Sequence, residues 1–288
     1  MTPSILSEPD NFISLVEQRL GKLDLDYSQR LSDLRKRQGE RPDHLMAGVL
    51  VLLARETTSK DKENREDGFR LILTKRSSLV SQPGDLGCPG GIIRPIADRL
   101  LRPMITTGLV PVLKGVPLEQ LKRRDRFSRH ATTLFLTTAL RETWEEIGLS
   151  PFNLRFLGPL PSYSLKLRAL TIFPLVALIK KPAAFRLNDE VERIVSIPVS
   201  SFFAADNYAS LSLETKAEGG NGLSLPGDFP CFIHRVHDTS DILWGATYQI
   251  ITFFLKCIFD VPLPAPASGP RIVKELDRLY LREGDSVR

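Results

Sequence analysis

At 288 residues and 42% hydrophobic, the chain can bury a substantial core, as one elaborated domain or as two modest ones. Its formal net charge of +5 suits a polyanionic ligand and permits nucleic-acid binding without pointing to it. Three cysteines without paired spacing (Cys88, Cys231, Cys257) argue against a disulfide framework or a zinc site. With no apolar run of membrane-spanning length and acids at Glu8, Asp10 and Glu17 near the start, a soluble, cytoplasmic protein is expected.

Residues 10–37 space Phe12, Leu15, Val16, Leu20 and Leu23 as helices do, which predicts a helical extension over 1–45 packed on a main domain. Residues 46–54 are apolar throughout and read as a buried strand; 56–67 are charged and read as a loop; 69–74 read as the returning strand. Gly84, Gly87, Gly90 and Gly91 mark a loop where the backbone turns sharply or approaches something closely. Pro95, Pro103, Pro111 and Pro117 divide the next stretch into short pieces. Later come strand candidates at 154–157 and 171–179 and an apolar helix at 243–258. A proline-rich linker, 261–270, leads to a last amphipathic helix ending near Arg282.

The densest chemical signal is Arg141-Glu142-Thr143-Trp144-Glu145-Glu146-Ile147-Gly148-Leu149. At helical periodicity the three glutamates fall on one side and Leu136, Leu140, Trp144 and Ile147 on the other. Gly148 can take the left-handed cap position and Pro151 bars continuation, so the acids sit in the last two turns, at the negative end of the helix dipole. Such crowding is relieved by a hard divalent cation, Mg²⁺ or Mn²⁺, although a lone Glu-x-x-Glu-Glu is also common on solvated helices.

A second pattern stands upstream: Ile72-Leu73-Thr74-Lys75-Arg76-Ser77-Ser78-Leu79, then Gly84 and Cys88-Pro89-Gly90-Gly91. The two together resemble the Nudix hydrolases, with Gly91 and the run 141–149 matching the ends of that signature. The stretch 72–91 resembles the additional motif of the coenzyme A diphosphatase branch. Residues 188–192, 197–199 and 242–247 are similar to downstream segments of the branch, so the resemblance covers about 46–260. It implies a Nudix-type α/β/α sandwich with a mixed sheet, and an acidic helix within a loop, helix, loop unit.

Several positions depart from the pattern. Thr143 stands where an aliphatic residue is usual, Val80 for an arginine, Gln82 for a histidine and Cys88 for a phenylalanine. Between Gly91 and Arg141 lie 49 residues, about 36 more than the ungapped signature has, which places an insertion at about 92–130 inside the motif. Ala97 occupies the counted position of the first signature glutamate; Asp98, one step on, is a candidate replacement as a metal ligand or an ordinary polar residue.

The resemblance implies that Glu146, with Glu142 or Glu145, holds the metal, and that Arg141 orients a glutamate. The water-activating base would come from the helix or from a separate loop, with Glu190 a candidate. Arg76 and Lys75 are candidate phosphate contacts, or the exposed end of a strand, and Gly90 and Gly91 lie by the metal and substrate. The implied reaction is hydrolysis of coenzyme A or an acyl derivative to 4′-phosphopantetheine and adenosine 3′,5′-bisphosphate. Alternatives are another nucleoside diphosphate derivative, or a non-catalytic nucleotide- or RNA-binding module. A small nucleotide is the expected partner, nucleic acid is not, and a homodimer is compatible with the chain. The basic run Lys122, Arg123, Arg124, Arg126, Arg129 is a phosphate-attracting lid or a solvated helix face. His234 and His237 lack further partners at ligand spacing.

Overall fold

The computed structural model describes residues 3–37, 44–55, 68–165, 169–215, 227–236, 239–265 and 269–276. Its centre is β1 (Leu45–Arg55), buried over seven consecutive residues because both of its faces are covered. Val51 and Leu53 point into a core layer with Phe12 and Val16 of α1 (Pro9–Gly21) and Phe254 of α6 (Gly245–Phe259). Leu50 and Leu52, one residue out of phase, join Phe135 and Leu136 of α5 (Arg126–Ile147) on the opposite side. The alternation of a single strand thus builds a helix–sheet–helix sandwich.

The main sheet is mixed. β1 pairs antiparallel with β2 (Phe69–Arg76) and parallel with β7 (Leu170–Ile179), giving the order β3-β2-β1-β7-β5, with β3 at Leu86–Gly87 and β5 at Leu154–Pro159. Short β4 (Gly90–Ile92) adds to β1, β6 (Tyr163–Leu165) to β7, and β8 (Val191–Pro198) to β2. Under the α5 face, the rings of Phe135 and Phe173 stack at 3.7 Å between centroids. Tyr27, opening α2 (Tyr27–Arg37), sets its edge against Phe173 at 4.9 Å and donates to the Leu160 carbonyl. The N-terminal helices are therefore part of this core.

A second, four-stranded sheet runs β11-β10-β9-β12, from β9 (Tyr208–Thr215), β10 (Phe229–Val236), β11 (Thr239–Leu243) and β12 (Arg271–Leu276). β12 corrects the expected C-terminal helix over its described part. Residues 271–276 alternate between exposed and less exposed and pair in parallel with β9, whose open edge supplies the hydrogen bonds that the residues would otherwise make along a helix. The remainder of that expected helix, the 56–67 loop and His237 lie outside the described residues. No helix among the described residues is long and apolar enough to cross a membrane.

The insertion folds as α3 (Pro95–Thr106) and α4 (Gly115–Arg123), and α5 begins at Arg126 with Asp125 as its cap, accepting from the amides of Phe127 and Ser128. The basic run is consequently divided between two helices. Arg124 turns inward and donates to the Leu20 and Leu23 carbonyls at the end of α1, while Lys122, Arg123, Arg126 and Arg129 stay exposed. Pro103 sits inside α3 rather than dividing it.

Thr143, at a position where the resemblance leads to an aliphatic residue, carries a cost the structure makes visible. Its side chain is fully buried and its hydroxyl lacks a hydrogen-bond partner among the described residues. Thr143→Val is expected to stabilise the fold by about 1 kcal/mol, since a buried unsatisfied hydroxyl costs roughly 1–3 kcal/mol. Thermal melting should show a rise of about 2–4 °C.

Candidate active site

α5 ends on Gly148, left-handed at φ 67°, whose amide donates to the Trp144 carbonyl. That cap leaves Glu142 and Glu146 facing β4. The approach is closer than any side chain would allow. A Cβ on Gly91 would stand 2.6 Å from the Glu142 carboxyl carbon, and one on Gly90 (φ 145°) would stand 2.3 Å from the Gly48 carbonyl oxygen. Gly90, expected in a loop, is instead the first residue of β4. Its amide donates to Glu146 Oε2 at 3.2 Å.

Arg141, only 8% exposed, is the hub beside this pair. Its Nη1 donates to Glu142 Oε1 at 2.6 Å and to Glu145 Oε2 at 3.2 Å, Nη2 reaches the Ile92 carbonyl, and Nε donates to Asp98 Oδ1 at 2.7 Å. Asp98 is fully buried, and its Oδ2 also accepts from the Arg94 amide and the Thr138 hydroxyl, both at 2.8 Å. Its oxygens are thus committed on the far side of Arg141, so its placement does not meet the expectation of a metal-facing Asp98. An uncompensated carboxylate at zero exposure would be costly; the guanidinium and two neutral donors offset this.

The other candidates divide. Glu190 is exposed, on a loop held against the α5 terminus where the amides of Arg186 and Asn188 donate to the Ile147 and Glu146 carbonyls. Its charge is felt by Glu146, as is that of Arg76, whose Nε donates to the Ser81 carbonyl. Lys75 turns away, pairing with Glu192 at 3.3 Å and Asp241 at 3.6 Å. His234 is buried in β10, in register with Asp241 of β11 in the second sheet. Sequence reasoning missed Arg94, whose Nη1 lies 3.4 Å from Glu145 Oε2, and Thr138; neither belongs to the acidic motif, so only the fold reveals them.

Electrostatics single out Glu146. Burial pushes its carboxyl up to about 8; the Gly90 amide and Arg76 oppose the shift, while Glu142 and Glu190 add to it. Burial also raises Glu142, against the pull of Arg141. Among the described residues no three acidic, histidine or cysteine side chains converge as a finished metal site, and Arg141 occupies the space between Glu142 and Glu145. The donor chemistry still fits a hard divalent cation: Glu142 and Glu146 bring carboxylate oxygens to the same strand, and burial disfavours the charged form of Glu146, a cost that a cation would offset.

No family model matches the chain. It is similar to an uncharacterised Nudix hydrolase, NudL, of Pectobacterium atrosepticum, at 30% identity over 131 residues, 44% of this chain and 60% of that protein. It is also similar to the peroxisomal coenzyme A diphosphatase ndx-8 of Caenorhabditis elegans, at 27% identity over 194 residues, 66% of this chain and 63% of that protein. The chain thus spans less than two thirds of the length of these curated relatives. Among solved structures, a Nudix hydrolase from Alicyclobacillus acidocaldarius matches 54% of this chain and 79% of its own at 17% identity and a TM-score of 0.35. A C. elegans Ap4A hydrolase matches 55% and 82% at 15% identity and a TM-score of 0.33.

The Glu146 environment has a measurable consequence. With its folded carboxyl near 8 against 4.5 in the unfolded chain, the native state holds the extra proton between those values, so the metal-free protein loses stability as pH rises through that window. In EDTA, Glu146→Gln should remove this loss, its advantage over wild type in melting temperature being larger at pH 8 than at pH 5. At pH 8, Mg²⁺ should raise the melting temperature of wild type and not of Glu146→Gln.

Proposed function

We propose that this chain, which resembles the Nudix hydrolases, cleaves the diphosphate bond of coenzyme A or an acyl derivative of it. The carrying observation is the approach of Glu142 and Glu146 to Gly90 and Gly91, because it leaves backbone, not side chain, facing the carboxylates. In the hydrolysis a water oxygen bonds to one phosphorus, that phosphorus loses its bond to the bridging oxygen, and the departing phosphate keeps the bond electrons. The water's proton goes to a protein base. The products are 4′-phosphopantetheine and adenosine 3′,5′-bisphosphate.

Glu146, with Glu142 or Glu145, would hold Mg²⁺ or Mn²⁺. Such an ion supplies charge neutralisation at the diphosphate and a more acidic water. Arg141 fixes Glu142 by a short charge-assisted hydrogen bond and is itself fixed by Asp98, so the carboxylate is oriented before substrate arrives. Glu190, on a loop hydrogen-bonded to the end of α5, is the candidate base. Arg76 is the better candidate for the phosphates, since Lys75 is already paired.

That pairing of Lys75 with Glu192 and Asp241, together with Val80 and Gln82 in the upstream motif, favours a second reading: hydrolysis of another nucleoside diphosphate derivative, such as a dinucleotide or nucleotide sugar. Incubation with Mg²⁺ and, separately, coenzyme A, ADP-ribose, NADH and diadenosine polyphosphates, followed by chromatography, separates the two. Coenzyme A turnover that Glu146→Gln lowers by about a hundredfold or more, the scale of losing a catalytic carboxylate, is expected. Turnover confined to another compound would establish the second reading. Tight binding without turnover of any would make the chain a nucleotide-binding module.

A further inference from the structure

An apolar cleft of about 370 Å³ lies between α3 of the insertion, the outward face of α5 and the turn that follows it. Its walls include Leu101, Met104, Val110, Leu140, Trp144 and Phe152, and its size falls in the range of small-molecule sites, about 300–1,000 Å³. Three of these side chains remain open to solvent, Met104 at 36%, Trp144 at 46% and Phe152 at 54% exposure. A concavity of this volume lined mainly by apolar side chains has the character of a small-molecule site.

The cleft's only charged wall residue is Arg141, the same residue that bonds Glu142 and Glu145. The cleft and the acidic site therefore share a wall. Since the guanidinium is already matched by Asp98 and the two glutamates, it offers no net attraction to a charged occupant. The two hydroxyls of the lining are engaged locally: Thr137 donates to the Thr133 carbonyl, and Ser150 accepts from the Phe152 amide. A nucleobase would exchange its hydrogen bonds to water for a surface with little to return, whereas an alkyl chain loses none.

We propose that this cleft receives the acyl chain of a coenzyme A thioester, making the inserted α3 the element that selects acylated over free substrate. The assignment rests on the hydrolytic function proposed above and deepens it. The pantetheine arm carries the thioester away from the diphosphate, so chain and reacting bond are read by different surfaces of α5. The insertion, which interrupts the motif between Gly91 and Arg141, then supplies a specificity wall on one side of the helix while leaving the carboxylates on the other undisturbed.

The test compares kcat/KM for octanoyl-coenzyme A and coenzyme A, using the full chain with Mg²⁺. Wild type should favour the octanoyl compound by about tenfold or more, the scale on which apolar pockets discriminate. Met104→Asp and Phe152→Asp, both at exposed positions, should bring that ratio to about one. Calorimetry with S-octanoyl-pantetheine, which has no diphosphate, gives an independent readout: binding to wild type is expected, weakened about tenfold or more in both variants. A wild-type ratio near one, or a preference that both variants retain, overturns the proposal. If no coenzyme A compound is hydrolysed, the hydrolytic reading fails separately, and the thioester titration alone decides the cleft. Should the thioester fail to bind while the chain runs as a dimer that Met104→Asp dissociates, the cleft belongs to a second copy and the proposal is overturned.

Discussion

A helix carrying carboxylates lies against a strand whose two glycines leave no room for a Cβ, and most of the site's organisation follows from that contact. Glu142 can approach β4 only because Gly91 has no side chain, Gly90 packs without one against the β1 backbone while its amide meets Glu146, and β4 is held there by its pairing with β1. β1 in turn is fixed by covered faces on both sides. The sandwich core therefore determines where the acidic groups sit, and the Glu146 carboxyl, raised by its surroundings, shows the electrostatic cost of sitting there.

Arg141 distributes that cost. A lone guanidinium among two glutamates would leave Asp98, at zero exposure, without compensation; a lone Asp98 would be similarly unfavourable. Together with the Arg94 amide and the Thr138 hydroxyl they form a closed network. That network also ties the first turn of α3, and hence the insertion, to the acidic helix. The segment between Gly91 and Arg141, long as it is, is thus anchored to the helix that follows it.

The insertion gives α5 a second side. On one, carboxylates meet glycine backbone; on the other, Leu140 and Trp144 meet α3 across an apolar cleft. At helical spacing these faces are distinct, yet Arg141 reaches both. The arrangement lets one rigid element present polar and apolar surfaces in different directions.

Local signals sufficed for some of this. The apolar run of β1, the left-handed Gly148, the apolar α6 and the acidic face of α5 are legible because each follows from residues within a few positions of one another. The second sheet was not legible. β12 pairs with β9 across some sixty positions of chain, and residues 271–276 carry a pattern that a helix could also use until the open edge of β9 is known. Likewise Asp98 can be counted as near the motif, but only the tertiary structure decides that it faces Arg141 across 43 positions and that Lys75 is taken by Asp241. Backbone periodicity and caps are short-range and leave their mark in the sequence. Which charge compensates which, and which edge a strand completes, depends on distances that only the folded chain creates.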